Sequence, residues 1–357
     1  MRIQALCLLL VTASIPALAQ EATSSAETQA LTAIAPAAGR IDPVARSAPL
    51  NIIRIDEKAG VPIVPSQGYA QPIQLSDPLA SLNLPAGTTR YTIAGTNVLR
   101  SFLLHIPANL PSRPAPLIVA LHPKGLSPAD HELMTGLSAL ADQYGFIVAY
   151  PEALGETPEW ATGTNDTGRA EIQFIQSMLE QISHKTAVLR KAIFVSGMGS
   201  GAVMGARLAC MLPTTFAAVG LIGGNYPQWS DCVQRPISAI ILHGDKDPVY
   251  SYNGRALSMG PQGYAERMAK LNACQQGPSA QHQQGDMSAT GWSACAAGTE
   301  VVLLSFAGLG HAWPGSSAVP AAQTTQSVNA STTMWNFFGT HQQVRWRAPR
   351  NAANAQQ

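Results

Sequence analysis

From Thr88 onward, short apolar runs suited to buried strands alternate with segments of helical spacing, and this alternation limits the chain to few folds. Residues 89–93 and 100–106 read as a hairpin around Gly95, Thr96 and Asn97. Further strands are expected at 116–121 (PLIVAL), 146–150 (FIVAY), 192–195, 216–222, 237–242 and 301–306. Helical spacing covers 137–144, 171–184, 202–211 and 333–338, with Ile172, Ile175, Met178, Leu179 and Ile182 on one face of the second segment. Strands separated by helices predict an α/β fold, a mostly parallel sheet with helices on both faces. Sites in such sheets lie at the carboxyl ends of the strands.

The first residues predict export. Arg2, an apolar run from Ala5 to Ile15 and Ala17-Leu18-Ala19 form a signal peptide over residues 1–19. Residues 20–87 are rich in Ala, Pro and Ser and read as an arm, partly disordered, before a domain at 88–341 and a flexible tail at 342–357. Removing the signal takes Cys7 and leaves four cysteines, which allow three connectivities. Cys210–Cys232 and Cys274–Cys295 are favoured because each closes a short loop. No cysteine has metal-ligand spacing with a histidine, and no nucleotide or flavin motif is present, so no metal or cofactor is expected. With 22 basic and 21 acidic residues, the chain has no electrostatic reason to bind nucleic acid or an anionic membrane. No run after the signal is long and apolar enough to span a membrane.

Three segments follow strands in a telling order: Ser196-Gly197-Met198-Gly199-Ser200-Gly201, then His243-Gly244-Asp245-Lys246-Asp247, then the glycine-rich stretch around His311. Elbow, acid and histidine occur in that order in α/β-hydrolases. A serine hydroxyl is a weak nucleophile until histidine takes its proton, and a carboxylate fixes the imidazole tautomer. Asp247 and His311 suit those roles, although each also suits an ordinary turn or loop.

These stretches carry a resemblance. Leu121-His122, 145–151 (GFIVAYP), 197–210, 243–252 (HGDKDPVYSY), 310–315 (GHAWPG) and 335–338 resemble the secreted polyhydroxybutyrate depolymerase and feruloyl-esterase-like family of α/β-hydrolases. The resemblance implies the α/β-hydrolase fold, a carboxylic-ester hydrolase acting on polyesters or on esters of aromatic acids, and secretion to the periplasm or beyond. It implies Asp247 as triad acid and His311 as base.

The family's elbow reads G-x-S-x-G, and here its centre is Gly199, so the nucleophile position is lost. Ser200, one place on, reads as a helix cap or backbone oxyanion donor, with a shifted nucleophile as the alternative. The facing loop, His122-Pro123-Lys124, departs from the family's His-Gly, and Pro123 has no N–H to offer an oxyanion. Lys124 is a substitute cation or a solvated surface lysine. Trp160 and Trp313 are candidates for an aromatic substrate wall, or for core packing. Three functions follow: an esterase that still works through Ser200 or through a water with His311 as base, a module that binds esters or a polymer without turnover, or a structural protein whose arm makes the contact.

Overall fold

The computed structural model describes residues 87–343 apart from 95–98, 109, 111, 234, 280 and 281. The expected signal, the arm up to residue 86, the turn at Gly95, Thr96 and Asn97, and residues 344–357 lie outside the described residues.

The strands are β1 (Gly87–Ala94), β2 (Leu99–Ile106), β3 (Ala115–Leu121), β4 (Ile147–Pro151), β5 (Val188–Met198), β6 (Ala218–Ile222), β7 (Tyr226–Pro227), β8 (Ser238–Gly244), β9 (Ser258–Met259), β10 (His282–Gln284), β11 (Met287–Trp292) and β12 (Val301–Phe306). The α-helices are α1 (Pro128–Thr135), α2 (Leu137–Tyr144), α3 (Asp166–Lys185), α4 (Ser200–Met211), α5 (Pro261–Leu271) and α6 (Ala330–Thr340). Ten strands form one sheet in the order β1-β2-β4-β3-β5-β6-β8-β12-β11-β10. The pairs from β4 through β3, β5, β6 and β8 to β12 are parallel, and antiparallel strands flank them on both sides. Every residue of β4, β6 and β8 is buried, as a parallel sheet covered on both faces requires.

Two apolar layers sandwich the sheet. One packs α3, α4 and α5 through Ile175, Met178, Val203, Met204, Tyr264 and Met268. The other packs α1, α2 and α6 through Met134, Leu137, Met334, Trp335 and Phe338. The helix ends follow local chemistry. Ser127 and Asp130 form a reciprocal capping box on α1, and the Asn165 side chain accepts the Gly168 amide at the start of α3.

Sequence patterns located β1 to β6, β8, β12, α2, α3, α4 and α6, but not α1, α5 or the β10–β11 edge. α1 (PADHELMT) is only eight residues long and carries no regular apolar stripe, and β11 (MSATGW) is too polar to announce a strand. The disulfides are Cys210–Cys232, which ties α4 to the loop after β7, and Cys274–Cys295, which joins the end of α5 to the loop before β12.

Candidate active site

The site forms where β5, β6, β8 and β12 end side by side. β5 runs to Met198, and Ser200 opens α4, so the chain must reverse within Gly199. Gly199 does this at φ 56° and ψ −123°, a conformation that side-chain-bearing residues adopt only under strain. Its N–H donates to the Ile222 carbonyl at 3.0 Å, and its carbonyl accepts from Val203 at 3.1 Å. Gly201 fits for a different reason. A Cβ there would overlap the Leu121 carbonyl and stand 2.6 Å from the His122 oxygen, because α4 starts directly against the end of β3.

The acid and histidine loops are laced together. Asp245 N–H donates to the Phe306 carbonyl at 2.9 Å, and Lys246 N–H to the Leu309 carbonyl at 3.0 Å. Gly308 N–H donates to Asp245 Oδ1 at 2.7 Å. This lacing sets Asp247 beside His311, 64 residues later, with Nδ1 of the ring 2.7 Å from Asp247 Oδ2. The other carboxylate oxygen accepts the amides of Val249 and Tyr250, each at 2.8 Å. Burial pushes the Asp247 carboxyl up, but the His311 ring, its hydrogen bond, the Tyr250 amide and His243 together outweigh burial and hold it below the usual carboxylate value. An ionised Asp247 only accepts, so Nδ1 of His311 carries the hydrogen, and Nε2 is the ring nitrogen left for other contacts. That Nε2 is buried and has no hydrogen-bond partner.

Ser200 is 4 % exposed, and its Oγ likewise has no partner, so no hydrogen bond joins it to His311. Its amide is the first of α4 and has no acceptor within the helix, which suits an oxyanion donor. Ser196 Oγ is also buried without a partner.

In the facing loop, the His122 ring is tied to backbone on both sides. His122 Nδ1 donates to the Pro123 carbonyl at 2.8 Å, and Nε2 accepts the Ala153 amide at 3.0 Å. Burial lowers the ring's pKa to about 4, against smaller opposing effects of the Pro123 carbonyl, Glu152 and Asp130. The neutral ring therefore stitches the end of β3 to the segment after β4, and neither nitrogen is left for an oxyanion. Lys124 is not a spare cation either, since its Nζ lies 2.9 Å from Glu159 Oε2. Trp160 donates its indole N–H to the His122 carbonyl at 2.9 Å, and Trp313 donates to Ser331 Oγ at 3.1 Å. Both rings are buried, Trp313 against His131 in the layer of α1 and α6. Of the two readings open for these residues, aromatic wall or core packing, both indoles take the second, each with its acceptor inside the protein.

Sequence reasoning missed three neighbours of the pair. His243 donates Nε2–H to the Tyr250 carbonyl at 2.7 Å, 3.6 Å from Asp247 Oδ2. Burial lowers its pKa more than Asp247 and that carbonyl raise it. The Tyr250 ring lies tilted over His311, with centroids 5.6 Å apart. Tyr226 of β7 is fully buried and stacked on Tyr264, and its hydroxyl has no partner. Burial first, then Tyr264, Tyr250 and Asp247, keep that phenol protonated. His243 opens a motif and was visible; no local pattern marks Tyr226. A separate apolar cleft, between α4 and α5 and lined by Ala209, Trp229, Val233, Tyr264 and Met268, contains none of the elbow residues. Among the described residues, no cluster of three His, Cys, Asp or Glu side chains is arranged to hold a metal. No helix among them is long and apolar enough to cross a membrane.

Known proteins are similar to this chain in sequence and fold. Residues 100–249 match the family model described as "Esterase PHB depolymerase", a stretch that includes the elbow and Asp247 but stops before His311. The protein named "Putative esterase NocK" of Nocardia uniformis subsp. tsuyamanensis is 26 % identical over 288 residues, 71 % of this chain and 83 % of its own length. Feruloyl esterase B of Talaromyces stipitatus is 32 % identical over 152 residues, 42 % of this chain and 39 % of its own length. The acetyl xylan esterase structure from Aspergillus awamori superposes with a TM-score of 0.51 at 19 % identity, over 70 % of this chain and 99 % of that one. The chain has the α/β-hydrolase fold, resembles the PHB depolymerase and feruloyl-esterase-like family, and is homologous to carboxylic-ester hydrolases.

Proposed function

We propose that this chain is a secreted member of the esterase lineage whose serine-dependent acyl transfer is lost at Gly199, and that it still recognises an ester or its acid half at the elbow. One observation carries the reading. A backbone turn shaped like a nucleophile elbow, with Gly199 at φ 56°, stands beside an Asp247–His311 pair joined at 2.7 Å. In these roles Asp247 is the acid that orients the ring, His311 the base, and the Ser200 amide an oxyanion donor. Loss of a triad serine costs ~10⁶-fold in rate, while binding and oxyanion contacts alone leave about 10³–10⁴ over water. Ser200 is a poor replacement nucleophile, because its hydroxyl makes no hydrogen bond to the base.

A second reading, hydrolysis by water, is favoured by the free acceptor at His311 Nε2. In that reaction Nε2 takes a proton from water as the oxygen adds to the ester carbonyl, and the leaving alkoxide then receives that proton. The products are the acid and the alcohol, from a small or a polymeric ester. Two disulfides support an oxidising compartment and hence export.

A panel of p-nitrophenyl and feruloyl esters, run on the natural protein beside Gly199→Ser, separates these readings. The lineage reading expects activity only with the serine. Steady turnover by the natural protein that disappears in His311→Ala supports the water route. An inert Gly199→Ser that folds normally and keeps the Asp247–His311 bond contradicts the role given to the elbow.

A further inference from the structure

The loop after β7 and the second half of α4 frame a cleft that is independent of the elbow roles given above. It lies between α4 and α5, measures about 480 Å³ and is open to solvent. Its walls are Ala209 of α4, Trp229 and Val233 of the loop, and Tyr264, Met268 and Leu271 on one face of α5. Apolar walls around open space tend to close on one another, because burial stabilises each of them. Here polar and covalent ties fix the loop instead. The Cys210–Cys232 disulfide joins it to α4, and Val233 N–H donates to the Cys210 carbonyl at 3.0 Å. Arg207, fully buried in α4, donates to both oxygens of Asp231 at 2.6 Å, and the Trp229 indole N–H donates to the Thr162 carbonyl at 2.7 Å. Beyond α5, the Asn272 side chain accepts the Ile237 amide at 3.0 Å and donates to its carbonyl at 2.8 Å. The cleft is therefore framed from outside its walls, as a pre-formed pocket is.

Its charge has one sign. The half-buried Arg235 and Arg267 line the cleft, and no Asp, Glu or Lys does. Asp231, the acid nearest to it on the loop, is neutralised by Arg207, while Glu266 and Lys270 of α5 are exposed and outside the lining. Arg267 follows Tyr264 by one turn of α5 and acts on its phenol, opposing the rise in pKa that burial causes. Tyr264 is only 4 % exposed, and among the described residues its hydroxyl has no hydrogen-bond partner. A guanidinium presents donors in a planar fork that matches a carboxylate, and a phenol adds one more donor.

We propose that this cleft binds a small amphipathic monocarboxylate, with its chain or ring against Trp229, Tyr264 and Met268 and its carboxylate at Arg267, Arg235 and the Tyr264 hydroxyl. A purely polar anion gains nothing from the walls, and a neutral apolar molecule gains nothing from the guanidinium groups. A fatty acid and an aromatic acid share the required chemistry, since the same walls serve a chain and a ring. The cleft lies along the second half of α4 through Ala206, Ala209 and Cys210, whereas the elbow meets the first turn at Ser200, so the two sites are separate on one helix.

Isothermal titration of the natural protein with sodium octanoate and, separately, sodium benzoate, at about pH 7 where both are ionised, tests this. The expected result is saturable one-to-one binding of at least one acid, and the tighter of the two tells chain from ring. The matching amides, octanamide and benzamide, have nearly the same shape without the charge and should bind at least about fivefold more weakly. Arg267→Gln removes a guanidinium, and Val233→Glu adds a carboxylate at a side chain that is 49 % exposed. Each should weaken the acid roughly tenfold, with melting curves showing that both variants remain folded. His311→Ala, at the elbow, should leave the affinity within about twofold of the natural value. Absence of saturable heat with both acids, or an affinity unchanged in both cleft variants, would overturn the proposal. So would loss of binding in His311→Ala, which would move the acid to the elbow. Ester turnover is a separate readout, and its presence or absence in Gly199→Ser bears on the elbow alone.

Discussion

The elbow at residues 197–201 and the two loops carrying Asp247 and His311 meet at one end of the sheet, yet different physics fixes them. The elbow is held by backbone sterics: Gly199 takes a glycine conformation, and Gly201 lets α4 close on the carbonyls of Leu121 and His122. Neither condition involves a hydroxyl. The loops are held by side-chain chemistry, with Asp245 receiving the Gly308 amide and Asp247 accepting from His311, Val249 and Tyr250. A glycine-rich turn therefore needs no hydroxyl to keep its shape, whereas the acid–histidine pair exists only while both residues remain. Glycines at an elbow report the fold; the Asp247–His311 pair reports the chemistry the fold can support.

The largest expected effect breaks this contrast by restoring chemistry to the steric half. Gly199→Ser should raise kcat/KM for p-nitrophenyl acetate by ~10³-fold or more, at a strain of about 1–3 kcal/mol read by urea denaturation. Adding Asp247→Asn in that background should remove roughly 10²- to 10⁴-fold of the gain through the wrong ring tautomer, a range whose upper end is the measured effect in a serine protease. A result near zero would mean that the loops do not act on residue 199 at all.

Gly201→Ala sharpens the comparison from the other side. Its Cβ meets two backbone carbonyls that cannot move independently, so a loss of about 3–5 kcal/mol in denaturant unfolding is expected. The same substitution tests nothing chemical, and a loss below about 1 kcal/mol would show that the elbow is not sterically fixed.

His122, which ties the end of β3 to the segment after β4, should show in the pH dependence of stability. Its pKa is lowered from 6.5 to about 4, so the folded protein favours the neutral ring. The stabilisation is then complete above pH 6.5 and is lost as pH falls toward 4, reaching roughly 3 kcal/mol. Urea midpoints measured across that window should slope less in His122→Gln than in the natural protein. The smallest effect is expected for Trp160→Phe, which removes the donor to the His122 carbonyl and should cost ~1 kcal/mol with no change in ester binding.

Much of the fold was legible because the signals are local. The buried runs of β3, β4, β8 and β12 and the helical face of α3 follow from spacing alone, and α2 at Leu137–Tyr144 falls where its apolar period predicts. The gaps are also physical. α5 carries Tyr264, Ala265, Met268 and Ala269 at helical spacing, yet Pro261 and Gly263 at its start read as a turn. Trp160 and Trp313 are ambiguous in sequence, since an indole on a loop serves a cleft and a core equally well until its N–H finds an acceptor.

By itself, then, the sequence determined the α/β alternation, the order of elbow, acid and histidine, and a glycine at residue 199, and it favoured the two short cysteine loops that the structure then paired. Only the tertiary structure decided that His122 is tied to backbone, that Lys124 is paired with Glu159, and that Tyr226, His243 and Tyr250 surround the pair. The reason is range. Spacing along a chain encodes which face of a strand or helix is apolar, but the partner of a buried donor is set by segments tens of residues away, brought within about 3 Å only by the packed sheet.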